Sequence, residues 1–331
     1  MKKLHRHQIN RRQILNLAAG TLAVPAVLRS AYADTYPSRP IHLLVGFPAG
    51  GTADIIARLI GNALSERLGK TFVVENRGSA GQQVAADSVV KAAPDGYTLL
   101  MVANPNINNA VINPDISFSF TKDLAPIGGI ASDPAILVVN PSLPVKTVPE
   151  LIAYTKARPG QVNMASGGVG STPHLAGELF KMLTGVNMLH VPYRGDAPAI
   201  TDMLAGQDQV MFDMVILSQE HVRSGALRGL AVTSAKRLAI FPDLQPIADF
   251  VPGYEAFAWQ GLMAPKDTPP DIITRLNTEL NAALADATIQ KRIEDFGGVP
   301  MPMTPVDFGK LIVNEMDKWG KVIQFAGIKA Q

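Results

Sequence analysis

Short apolar runs alternate with stretches of helical period along most of the chain. Ile41–Phe47 (IHLLVGF) predicts a buried strand, and the loop Pro48–Thr52 follows it. From Ala53 to Leu68, the positions Ile55, Ile56, Leu59, Ile60, Leu64 and Leu68 recur at helical spacing and stop at Gly69. Thr71–Glu75 predicts a second strand and Gln82–Ala92 a second helix. Tyr97–Ala103 predicts a third strand behind the turn Pro94-Asp95-Gly96.

The same order returns later. Val162–Ala165 predicts a strand, Ser166–Ser171 a glycine-rich loop, and Pro173–Leu183 a helix ending at Gly185. Met188–Val191, Ala197–Leu204 and Val210–Val215 follow as strand, helix and strand. The chain thus carries two strand–glycine loop–helix–strand–helix–strand units, with PAGGT and SGGVGST in equivalent places. Identity between the units is slight, so the repeat is architectural. Asn140–Pro144 reads as a connector and Thr147–Ala157 as a helix. Leu227–Val232 and Trp259–Met263 read as strands, and Pro269–Asp286 and Phe308–Phe325 as helices, the last capped by Thr304. The pattern predicts an α/β fold.

Residues 1–33 break this rhythm. Five basic residues, Lys2, Lys3, Arg6, Arg11 and Arg12, precede the apolar run Ile14–Leu28, and Ala31-Tyr32-Ala33 supplies small residues before Asp34. This is the grammar of a cleaved export signal, with cleavage expected after Ala33 and the protein expected in the periplasm. Arg11-Arg12 resembles a twin-arginine signal, with ordinary Sec export as the alternative.

The segment changes the charge picture. The whole chain of 331 residues has 30 basic and 28 acidic side chains, a formal charge of +2. Residues 1–33 hold six of the basic groups and no acid, leaving 24 against 28 and a net of −4 from residue 34 onward. Nucleic-acid binding loses its support. The absence of cysteine excludes disulfides, thiolate metal sites and a cysteine nucleophile. G-x-G-x-x-G after the first strand, a P-loop, G-x-S-x-G and H-E-x-x-H are all missing. With His42, His174, His190 and His221 scattered, neither a metal nor a cofactor is expected.

What remains is the pair of glycine loops. Unpaired amides and the helix dipole favour an anion where a strand hands over to a helix. Gly50-Gly51 lets backbone approach a ligand, and Thr52 can cap or donate. Gly167, Gly168 and Gly170 do the same in the second unit, where Thr172 is the expected N-cap and Ser171 is free for a ligand. Arg194 can add a charge-assisted bond. Asp54 suits the first helical turn and an i+4 pair with Arg58. His174 reads as a loop partner as readily as a ligand contact. Phe47, Tyr193 and Trp259 are candidate apolar walls, with core packing the alternative. If the units face one another, an acid with two carboxylates bridges them.

Tyr36-Pro37-Ser38-Arg39-Pro40-Ile41 and Phe47-Pro48-Ala49-Gly50-Gly51-Thr52-Ala53-Asp54 resemble the start of the Bug proteins, the TctC-like substrate-binding proteins of tripartite tricarboxylate transporters. Val73–Arg77, Pro94–Leu99, His190–Gly195, Leu230–Ser234 and Trp259–Leu262 are similar to further signatures of that family, in order along the chain. The resemblance implies a two-domain periplasmic binding protein of the type II flytrap kind, with residues 34–136 plus 256–331 as one domain and 137–255 as the other. It implies that a loop within Phe47–Asp54 faces one within Gly167–His174 across the ligand, and the candidate ligand-binding set is Phe47, Ala49, Gly50, Gly51, Thr52, Asp54, Asn104, Gly167, Gly170, Ser171, Thr172, His174, Tyr193, Arg194 and Asp213. Arg194 stands where the family commonly has lysine and Asp196 where it has a small residue. The expected function is capture of an organic acid, a dicarboxylate above all, by a monomer that delivers it to a membrane transporter. A sensing partner of a membrane receptor and an exported carboxylate-processing enzyme are the rivals.

Overall fold

β1 (Ile41–Val45) is apolar at every position but His42 because it is the middle strand of a parallel trio, with β2 (Phe72–Asn76) on one side and β3 (Thr98–Ala103) on the other. The connections run through α1 (Thr52–Leu68) and α2 (Gln83–Val90). Gly69 ends α1 in the left-handed conformation at φ 68°, and its amide closes back on Ser65. The computed structural model describes residues 36–78, 83–113 and 115–329, so the export segment, its cleavage point and Gln82 lie outside the described residues. From Arg39 onward the chain forms one compact unit.

After α3 (Asn104–Ile112) and the long strand β4 (Leu124–Val139), α4 (Val148–Lys156) leads into the second unit of the repeat. There β5 (Asn163–Ser166) lies between β6 (Leu189–Pro192) and β7 (Val210–Met214), again all parallel, joined by α5 (Thr172–Thr184) and α6 (Asp196–Ala205). The trios are built alike, β2-β1-β3 and β6-β5-β7.

Two long antiparallel strands join them. β9 (Phe257–Pro265) pairs with β3, and β4 pairs with β7. β4 pairs with β9 from Leu124 to Pro134, then with β7 from Ala135 onward, so it passes from one half-sheet into the other at Pro134/Ala135. β8 (Arg228–Val232) and β10 (Val299–Pro300) also pair with β4. The remaining helices are α7 (Val215–Arg223), α8 (Pro270–Leu284), α9 (Ala287–Asp295) and α10 (Pro305–Ala326).

Leu44, Leu100, Trp259 and Phe308 belong to the core of the first half-sheet. The second half has a core on each face. Ile136, Ala165 and Met211 lie in one, while Leu137, Phe180 and Phe212 lie in the other. That last core also takes Trp319, Val322 and Ile323 from α10, so the final helix serves both halves. Five elements go beyond the sequence pattern, α9 and β10 among them. β4 contains Gly128, Gly129 and Pro134 and begins well before the apolar run that ends at Val139. α3 is asparagine-rich, and α7 follows β7 with no turn signal between them. Asp286, expected to end one helix, instead caps the next by accepting from Thr288 and Ile289 amides.

Candidate functional site

β1 and β5 are the points where the chain turns to opposite sides of its trio, and the loop after each leads into a helix start at one cavity of about 460 Å³. Phe47, Gly51 and Thr52 enter it from the first half, and Ser171 and Thr172 from the second. α1 and α7 both begin there without a side-chain cap, so their first-turn amides remain available to an anion. Met214–Leu217, Trp259 and Phe296 add apolar wall. Among the described residues, no lysine, arginine or histidine lines the cavity.

The first loop is held by Asp54. Its buried carboxylate accepts from the Gly50 amide at 2.9 Å, Asn76 Nδ2 at 2.9 Å and Arg58 Nε at 3.1 Å. Burial works against the charge, but Arg58, Gly50 and Asn76 together hold the carboxyl below its ordinary range. The Gly50 amide is therefore spent inside the loop. Gly50, at φ 83°, and Ala49 are exposed and outside the cavity lining, and the buried Asp54 is outside it too.

In the second loop Ser171, not Thr172, is the N-cap. Its Oγ accepts from the His174 amide at 3.3 Å, and Thr172 is the first helical residue. The Gly170 amide donates to His174 Nδ1 at 3.0 Å, which puts the ring proton on Nε2, facing Glu178 at 3.6 Å. His174 stacks on His190 at 3.7 Å and borders a different cavity. Gly167 leaves room for Asp196, since a Cβ there would lie 2.1 Å from Asp196 Oδ1 and displace that carboxylate.

Four further expectations meet a different geometry. Asn104 is buried, donating to Glu315 Oε2 at 3.0 Å and accepting from the Trp259 amide. The Tyr193 hydroxyl sits between Asp202 and Asp208, at 2.7 and 2.6 Å. Arg194 is exposed and outside the lining. Asp213 is fully buried one residue before the lining Met214, with Ser218 donating to its Oδ2. Conversely, Asp133 on β4, which no motif marks, and Gln260 on β9, inside the Trp259–Leu262 signature but not among the expected ligand contacts, line the cavity, and Asp196 joins them from α6.

Residues 56–328 match the family described as the tripartite tricarboxylate transporter family receptor. The chain belongs to that family. BugT of Bordetella pertussis is 36% identical over 324 residues, covering 97% of this chain and 99% of its own. Among solved structures, R. palustris Rpa4515 with adipate is 37% identical at a TM-score of 0.72, over 89% of this chain and 99% of that one. MatC from Rhodopseudomonas palustris with bound malate is 28% identical at 0.69, over 87% and 100%. Among the described residues of this TctC-family receptor, no helix is long and apolar enough to cross a membrane.

The receptor's cavity is acidic in its side chains. Burial pushes Asp133 up to about 6, against the pull of the Gln260 amide. Burial pushes Asp213 up to about 7, against the Ser218 hydroxyl and with added repulsion from Asp196. Asp196 is raised as well, by burial, with the Gly167 amide opposing.

Proposed function

We propose that the protein is a periplasmic solute receptor that captures an organic acid between its two halves and presents it to membrane components of a tripartite tricarboxylate-type transporter. The observation that carries this reading is the convergence of the uncapped α1 and α7 N-termini on one largely apolar cavity. Backbone amides supply the anion site without a cationic side chain, and apolar wall accommodates a hydrocarbon body. The adipate and malate in the two R. palustris relatives support an acid as ligand. Nothing in this reading requires covalent chemistry. The two halves move as domains of residues 34–136 plus 256–331 and 137–255, with β4 and β9 as the connecting strands.

A thermal-shift screen of the purified protein against short carboxylic acids tests this reading. A ligand at 100 times its Kd adds about 2.7 kcal/mol of stability, which is a clear upward shift in Tm. The matching uncharged amides should give none. Equal shifts from acids and amides, or none from any acid, would sink the proposal.

A further inference from the structure

Buried hydrogen-bond acceptors are almost always met by a donor, because an unmet one keeps its full desolvation cost. Two acceptors on residues that line this cavity, and a third buried next to the lining, have none among the described residues. Gln260 is 5% exposed; its Nε2 donates to Asp133 Oδ2 at 2.6 Å, and its Oε1 is buried without a donor. Asp196 Oδ1 is buried and unpaired. So is Oδ1 of Asp213, where Ser218 donates to the other oxygen and the Met214 amide is the nearby backbone donor. Asp196 and Gln260 line the cavity, and Asp213 lies close enough to Asp196 for the two to repel.

The wall offers these groups no cation, whereas its helix starts offer donors to an anion. The lining thus presents both donors for an anion, at the helix starts, and unmet acceptors, at Asp196 and Gln260. A second carboxylate would add negative charge beside Asp133 and Asp196. A hydroxyl would meet one acceptor and leave the charge unbalanced. An ammonium group can donate to more than one acceptor and offsets the charge.

We propose that the solute is a carboxylate that also carries a protonated amine, held by Asp196 and the Gln260 carbonyl, with Asp213 positioned behind them. This rests on the solute-receptor reading above.

Calorimetry on the purified protein with two matched trios tests it: glutamate, 2-hydroxyglutarate and glutarate; then 6-aminohexanoate, 6-hydroxyhexanoate and adipate. In at least one trio the amine should bind about tenfold or more tighter than its partners, the size expected of one charge-assisted bond. Asp196→Asn should erase that preference, weakening the amine acid more than its dicarboxylate partner. If Asp196→Asn does not fold by circular dichroism, Asp213→Asn, which retains an acceptor for Ser218, should reduce the preference instead. A dicarboxylate or hydroxy acid binding as tightly as its amine partner in both trios overturns this proposal alone. So does a preference unchanged in the folded variant. No binding by any of the six acids overturns the receptor reading together with it.

Discussion

Asp54 and Asp213 are both buried aspartates at the mouth of a helix, and their surroundings give them opposite pH behaviour. Asp54 is held below its ordinary range, so its contribution is present above about pH 4 and lost as pH falls through its lowered folded value. Asp213 is pushed up to about 7 by burial. The folded chain then holds a proton that the unfolded chain has released, and stability falls as pH rises from about 4 to about 7. Asp133, pushed up to about 6, acts in the same direction. Asp213→Asn should raise the stability of the ligand-free protein at pH 8 by on the order of 2 kcal/mol and change it little at pH 5. Urea titrations at the two pH values measure this, and an equal effect at both would refute it. At this scale the sequence exposed part of the site. Glycine loops mark Gly51, Thr52, Ser171 and Thr172 because backbone approach needs glycine and helix starts need hydroxyls. Asp133 and Gln260 sit inside long strands, where nothing in the local pattern separates a cavity-facing polar group from a solvated one.

Among the elements, α5 shows how loop and helix share one residue. Ser171 caps the helix and lines the cavity at once, while Gly170 is tied to His174. Removing the cap in Ser171→Ala should cost about 1 kcal/mol. Ser171→Asn, which can cap equally well, should recover most of it. Thermal melts of the three proteins check the order, and an alanine variant as stable as the parent would reassign the cap. Element identity was legible wherever an amphipathic or apolar run had clear punctuation, as in α1, ending at Gly69, and α10, opening at Thr304. β4 was hidden by Gly128, Gly129 and Pro134, which read as breakers. The two glycines are tolerated because the strand is irregular there, with its register to β9 shifting on either side of Gly128-Gly129, whereas Pro134 sits where β4 leaves β9 for β7.

Across the whole molecule, the paired trios were foreseeable from the repeated element order, but the brace between the halves was not, because it depends on contacts far apart in sequence. Glu315 on α10 is 3% exposed, and its Oε2 accepts from Asn104 Nδ2 at 3.0 Å, Trp319 Nε1 at 2.8 Å and Trp259 Nε1 at 3.3 Å. One carboxylate therefore ties α3, β9 and α10 together, and α10 continues into the core of the second half. The two indoles on Glu315 are the only two in the chain, yet they differ in place: Trp259 lines the cavity, while Trp319 is packed in the core. A solute entering the cavity changes the surroundings of Trp259 directly. Binding should therefore alter the intrinsic emission of the parent protein. The change should persist in Trp319→Phe and be largely lost in Trp259→Phe, with affinity by calorimetry confirming that both variants still bind. The opposite pattern, a signal that survives in Trp259→Phe and vanishes in Trp319→Phe, would mean that the solute is felt through α10 and not at this cavity.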